Sequence, residues 1–214
     1  MTPEALAELR RAAEAPDTAL ACEIDAVAAD LSAAFDGDPM FEWFMKPGPG
    51  RSRARFNLFR FLLRETALPA GWALRPSMGG GASVWLPSMR MGPSRWWEEL
   101  RSFPAIVGAT GFARLDRMAA MRAAMEKHHP SQQPHLYLWL LGVRPEAQGA
   151  GVGSRLLRAG LERADAQDLP VFLETATTRN VAFYRRHGFE VLAEYRARAD
   201  APLSWAMWRE PRAG

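Results

Sequence analysis

The clearest periodicity lies in the C-terminal half of the chain. His135–Val143 is rich in aliphatic and aromatic residues and reads as a strand. Val152, Leu156, Leu157, Leu161 and Ala164 recur at helical spacing and give Val152–Ala164 one apolar side. Val171–Thr175 reads as a strand, and Arg179–His187 as a short helix closed by Gly188. Phe189–Ala197 and Leu203–Arg209 are two further strands. The first strand, helix and strand suggest parallel pairing through a helical crossover, and the last two strands an antiparallel hairpin. The pattern predicts an α/β fold with a mixed sheet.

The N-terminal half is less regular. Met1–Ala15 reads as a helix ended by Pro16, and Ala19–Cys22 as a first strand. A helix capped by Asp25 runs to about Phe35, where Asp36-Gly37-Asp38-Pro39 breaks it. Arg51–Thr66 places Phe56, Phe59, Leu62 and Leu63 on one side of another helix. Gly71–Pro76 and Ala82–Leu86 read as two strands joined by Gly79-Gly80-Gly81. Pro93–Lys127, with Trp96-Trp97 near its start, is a long helical insert interrupted near Gly108–Gly111. The whole of 1–214 reads as one domain, with 1–18 as an N-terminal helical segment.

Composition narrows the classes. A chain of 214 residues with 48% apolar and 24% charged residues can bury a core. Its one cysteine, Cys22, read as a small buried residue, allows neither an internal disulfide nor a cysteine-based zinc site. The four histidines show no helical His-Glu-x-x-His pattern, so no metal is expected. The longest apolar run, around Leu136–Leu141, is far too short for a bilayer. Met1–Arg11 carries Glu4 and Glu8 and no apolar signal core, so a cytoplasmic location and no membrane partner are expected. The net charge of +3 comes from arginines interspersed with acids, which argues against a nucleic-acid partner.

The chemistry is concentrated in one loop, Gln148-Gly149-Ala150-Gly151-Val152-Gly153-Ser154. Three glycines alternate where a helix begins, so backbone N–H groups can converge without side chains in the way. The helix start adds unpaired donors and partial positive charge, which together suit a diphosphate. A dinucleotide loop is a rival reading, with Glu174 in the place of a ribose-binding acid. It fits less well, because the spacing is G-x-G-x-G and five residues, Arg144–Gln148, precede the first glycine.

Gln148–Gly153 resembles the Q/R-x-x-G-x-G/A signature of the GNAT superfamily of N-acetyltransferases. Leu141-Gly142-Val143-Arg144-Pro145 is similar to that family's fourth strand. Asn180-Val181-Ala182-Phe183-Tyr184-Arg185-Arg186-His187-Gly188-Phe189 is similar to its second motif, N-x-x-F/L-Y-x-x-x-G-F. The likeness covers about His135–Tyr195, and Leu138–Phe189 also resembles puromycin-acetyltransferase-type members. The resemblance implies a mostly antiparallel central sheet with one splayed parallel pair and flanking helices. It also implies acetyl-CoA as acyl donor and direct transfer to a primary amine.

Carried onto this sequence, the likeness puts the coenzyme A diphosphate on the N–H groups of Gly149, Ala150, Gly151, Val152, Gly153 and Ser154, with Gln148 opening the loop. The pantetheine arm would pair with Leu141, Gly142 and Val143. Tyr184 falls at the general-acid position. Asn180 either contacts the coenzyme or caps its helix, and Thr177 stands where many relatives have an asparagine. Glu174 is the first candidate for the base, with an ion pair to an arginine such as Arg179 as its structural alternative. His135 is a weaker base candidate, and His128-His129-Pro130 reads as a helix end whose loop could reach the cleft. His187 reads as a helix C-terminal residue.

Phe41, Trp43, Trp85 and Trp139, with Asp36, Asp38 and Glu42 beside them, are expected to line an acceptor pocket for a hydrophobic amine or a peptide N-terminus. The insert is expected either to lid the site or to form a homodimer contact. Two rival classes remain at this point: a non-catalytic acyl-CoA-binding module and a dinucleotide-dependent oxidoreductase.

Overall fold

A computed structural model describes residues 1–90 and 96–212, with the backbone alone for 96–100. Among these residues seven strands form one sheet: β1 (Asp17–Thr18), β2 (Trp72–Arg75), β3 (Gly81–Pro87), β4 (Leu136–Val143), β5 (Val171–Thr175), β6 (Glu190–Tyr195) and β7 (Ser204–Arg209). Their order is β1-β2-β3-β4-β5-β7-β6. Only β4 and β5 pair in parallel; every other neighbour is antiparallel. The expected mixed sheet is present, and its single parallel pair is not the doubly wound arrangement of a dinucleotide fold.

The helices are α1 (Pro3–Ala12), α2 (Ile24–Ala34), α3 (Pro39–Phe44), α4 (Arg51–Leu62), α5 (Leu68–Ala70), α6 (Trp96–Thr110), α7 (Leu115–His128), α8 (Val152–Asp165) and α9 (Thr178–Arg185). One face of the sheet packs against α1, α8 and α9 through Leu9, Leu156, Leu157, Leu161, Val181 and Tyr184. The other packs against α2 and α4 through Val27, Leu31, Phe59 and Leu63. At the far end of that second face, Ala124 and Met125 of α7 cover Tyr137, Phe172, Tyr195 and Trp208.

The alternation of β4 explains how it serves both layers. Leu136 and Leu138 face α8, while Tyr137 faces α7. Val84 and Trp85 are consecutive on β3 but pair with Leu140 and Leu138, so Trp139 is an extra, bulged residue. Trp139 and Leu140 therefore both pack toward the α2 side, although they are neighbours in sequence.

Several expectations need correction. The first strand is Asp17–Thr18, not Ala19–Cys22; Ala21–Glu23 is a turn of 3₁₀-helix leading into α2. Cys22 sits on that turn and is exposed rather than buried. The helix beginning at Arg51 leaves α geometry at Leu63 and makes a π-helical turn to Ala67. The insert is two helices separated at Gly111, whose φ of 64° ends α6. Pro93 and the side chains of Trp96 and Trp97 lie outside the described residues.

Candidate active site

β4 and β5 pair only at Leu136↔Val171, Tyr137↔Phe172 and Leu138↔Leu173. Beyond Leu138 the edge of β4 facing β5 is unpaired as far as Val143, and Glu174 and Thr175 continue β5 alone on that side. The bulge at Trp139 begins at the same point. A wedge thus opens between two adjacent strands, with free backbone groups along one wall. Gly142 is needed there for packing as well: a Cβ on it would stand 2.8 Å from Ala34 and 3.1 Å from Leu31 of α2.

At the wide end of the wedge the chain turns through Pro145–Ala147 into α8. Gln148 donates its side-chain amide to the Val143 carbonyl at 3.0 Å, which closes the loop upon the strand. Gly149 and Gly151 have φ of 83° and 78°, left-handed values that favour glycine. The N–H groups of Gly149, Ala150, Gly151, Val152, Gly153 and Ser154 have no hydrogen-bond partner among the described residues. Arg155, one residue on, donates to the carbonyl of Gly151 at 3.1 Å and approaches Glu14 at 3.4 Å. Its cation adds to the positive end of α8. Sequence reasoning passed over Arg155, although its place one residue after the loop is a visible signal.

Tyr184 is buried between α9 and the sheet, edge-on to Phe183 and Phe189 at centroid distances of 5.1 and 5.6 Å. Burial pushes the phenol well above its ordinary pKa, so it holds its proton. Thr177, not Asn180, caps α9: its hydroxyl accepts from the Asn180 N–H at 3.3 Å. The Asn180 side chain donates to Thr175 at 3.1 Å and ties the helix start to β5. His187 reaches Ser154 at 3.3 Å and so links the end of α9 to the first turn of α8. Burial, with Arg158, Arg186, Arg209 and Arg212 nearby, lowers its pKa. The expected stabilisation by the helix dipole is outweighed.

Glu174 comes from the opposite face of the sheet. It forms no ion pair with Arg179; instead Tyr137 donates to one carboxylate oxygen at 3.0 Å and Tyr195 to the other. Burial raises its pKa to about 7, against the two phenols, which lower it. Glu174 and Tyr184 are not in contact, and the wedge between β4 and β5 is the gap through which the two faces communicate. Sequence reasoning named Glu174 but missed both tyrosines, because they stand 37 and 21 residues away. His135 is buried and shares a 3.0 Å contact with His129. Among the described residues no group of three His, Cys, Asp or Glu could hold a metal.

The expected acceptor set divides. Trp139 stands at the wedge, and Phe41 packs in tilted ring contacts with Phe35, Phe44 and Phe59 at 5.0–5.2 Å beside it. Trp85 is a correction: its ring is fully buried under α8 against Gly160, on the other face of the sheet. Trp43 is also buried, donating to Asp200 at 3.1 Å with Arg117 over its ring, and it joins α3 to the loop between β6 and β7. The carboxylates are committed as well. Asp38 caps α3 at Met40 and Phe41, Asp36 bonds Arg55 at 2.7 Å, and Glu42 pairs with Arg51.

Residues 84–189 match the model of the acetyltransferase (GNAT) family, which spans the wedge, the glycine loop and α9. The chain belongs to that family. Among curated relatives, L-2,4-diaminobutyric acid acetyltransferase of Vibrio cholerae is 38% identical over 56 residues, covering 26% of this chain and 32% of its own length. Mycothiol acetyltransferase of Streptomyces avermitilis is 40% identical over 55 residues, covering 24% of this chain and 18% of its own. The match thus spans a third or less of each of these relatives. A Corynebacterium glutamicum structure described as histone acetyltransferase HPA2 and related acetyltransferase is 27% identical, with a TM-score of 0.67 over 93% of this chain and 98% of that one. Arylalkylamine N-acetyltransferase 2 of Aedes aegypti, at 11% identity and a TM-score of 0.65 over 92% of this chain and 99% of that one, shares the fold.

Proposed function

We propose that the protein is an N-acetyltransferase that moves the acetyl group of acetyl-CoA directly onto a primary amine of a small molecule or peptide. The observation that carries this reading is the row of uncommitted N–H groups at 149–154, set at the wide end of the strand wedge. Converging amides at a helix start, with Arg155 beside them, suit the coenzyme's diphosphate. The pantetheine arm would then run along Leu141, Gly142 and Val143 as an added strand. A backbone N–H on that edge would polarise the thioester carbonyl, where negative charge develops during attack.

The proton steps fall to two side chains. Glu174 takes a proton from the incoming ammonium, leaving a neutral amine to attack the carbonyl carbon. The tetrahedral intermediate collapses, the C–S bond breaks, and Tyr184 gives its proton to the sulfur. The proton shed by the new amide nitrogen restores the phenol. Trp139 and Phe41 favour an acceptor with an apolar body, and the commitment of Asp36, Asp38 and Glu42 leaves Glu174 to meet its amino group.

Calorimetric titration with acetyl-CoA, coenzyme A and NADH tests the donor, and thiol release against a panel of primary amines tests transfer. Binding of both coenzyme A forms without NADH is expected. Tyr184→Phe is expected to keep that binding while turnover falls about 100-fold or more. Binding of NADH alone, or unchanged turnover in Tyr184→Phe, would contradict the reading.

A further inference from the structure

Glu174 is held from two sides. Tyr137 reaches one oxygen along the shared face of β4 and β5, and Tyr195 reaches the other from β6, across the intervening β7. The crossing is possible because the residue paired with Glu174 on β7 is Ala206, whose small side chain leaves room. Each phenol is backed by one of two consecutive histidines at the end of α7. His128 stacks on Tyr195 with centroids 4.1 Å apart and planes 8° from parallel. His129 meets Tyr137 edge-on at 5.1 Å. The histidines are themselves fixed: His128 Nδ1 lies 2.7 Å from the Ala124 carbonyl, and His129 Nε2 lies 3.0 Å from His135 Nε2.

We propose that Tyr137 and Tyr195 are positioning residues for Glu174, each fixing one carboxylate oxygen, and that His128 and His129 of the insert hold the two phenols in place. This deepens the reading of Glu174 as the base and rests on it. One lone pair on each oxygen is taken by a phenol, and the rest of the carboxylate is left for the ammonium proton. Both phenols are themselves raised above their ordinary pKa by burial and by Glu174, so they remain donors while the carboxylate titrates. The titratable groups around Glu174 are Tyr137 from β4 and Tyr195 from β6, with His128 of α7 and His129 just after it behind them; β7 presents Ala206. Donation to the charged form opposes burial, so losing a phenol drives the carboxylate upward.

The test follows the ionisation of Glu174 by ¹³C NMR of protein labelled at the glutamate carboxyl, with Glu174→Gln identifying its signal. Tyr137→Phe and Tyr195→Phe keep the rings and their packing. Each is expected to raise the midpoint by about one pH unit or more, and the pair together by more. His128→Ala, which removes the support behind Tyr195, is expected to move it the same way. Midpoints unmoved in both tyrosine variants would overturn the proposal, and an unmoved midpoint in His128→Ala would remove the histidines from it. Failure of the base reading looks different. In that case Glu174→Gln would keep full turnover with the panel amines, whatever the tyrosine variants do to the titration.

Discussion

Glu174 and His129 sit on one face of the sheet and pull the pH dependence of stability in opposite directions. The folded-state pKa of Glu174 is raised from 4.5 to about 7, so the folded chain binds the proton more tightly than the unfolded chain. Its contribution strengthens the fold as pH falls from about 7 to 4.5 and is unfavourable above 7. His129 is lowered from 6.5 to about 4 by burial and by His135, so the unfolded chain binds that proton more tightly. Its contribution is present above 6.5 and is lost as pH falls toward 4. The two partly cancel in the native protein. Glu174→Gln is expected to raise stability by about 1–3 kcal/mol at pH 8 and to leave a steeper loss on acidification. His129→Gln is expected to flatten that acid loss. Denaturant melts between pH 4.5 and 8 check both, and a Glu174→Gln variant no more stable than the parent at pH 8 would contradict the assignment. The same residue that is proposed to take the substrate's proton is thus a burden on the fold.

At the scale of elements, glycines of identical sequence appearance do different work. Gly151 opens α8 in the left-handed region, within the loop proposed to hold the coenzyme, whereas Gly160 lies mid-helix, where a Cβ would stand 2.0 Å from the Trp85 ring. Gly160→Ala is expected to destabilise by about 1–3 kcal/mol through overpacking, while the folded fraction keeps its coenzyme affinity. Gly151→Ala is expected to weaken coenzyme A binding about tenfold or more with a smaller effect on stability, because its neighbour Arg155 is flexible and the strain falls on the loop. Thermal unfolding and calorimetry on the pair separate these effects; equal losses of affinity would contradict the division. Local signals were enough to read α8, α9, β4 and β5, since each has a complete apolar period or a terminal glycine. They also gave the loop, because its donors are consecutive in sequence. The strand at Ala19–Cys22 was misplaced because two residues of pairing, Asp17 and Thr18, leave no periodicity to detect. Trp85 was misassigned because alternation along β3 turns it away from Val84 and Leu86 and toward α8, and nothing local in the sequence marks which of the two faces carries the cleft.

For the molecule as a whole, the proposed site draws on two layers that share no sequence neighbourhood. Tyr184 comes with α9 and the loop-bearing α8, and Glu174 with the face covered by the insert. The insert is locked down by contacts no periodicity foretells: Arg114 donates to the Trp43 and Met45 carbonyls at the end of α3, and Arg117 pairs with Asp200 at 3.1 Å. These links put the double histidine beside the tyrosines, and they explain why the phenol pair was invisible in sequence while the glycine loop was legible. The proposed function stands on coenzyme binding at the glycine loop. A crystal structure of the protein with coenzyme A bound measures it directly. Diphosphate oxygens are expected within about 3 Å of the N–H groups of Gly149–Ser154, with the pantetheine arm along Leu141–Val143. A diphosphate held elsewhere, with those N–H groups facing solvent, would contradict it.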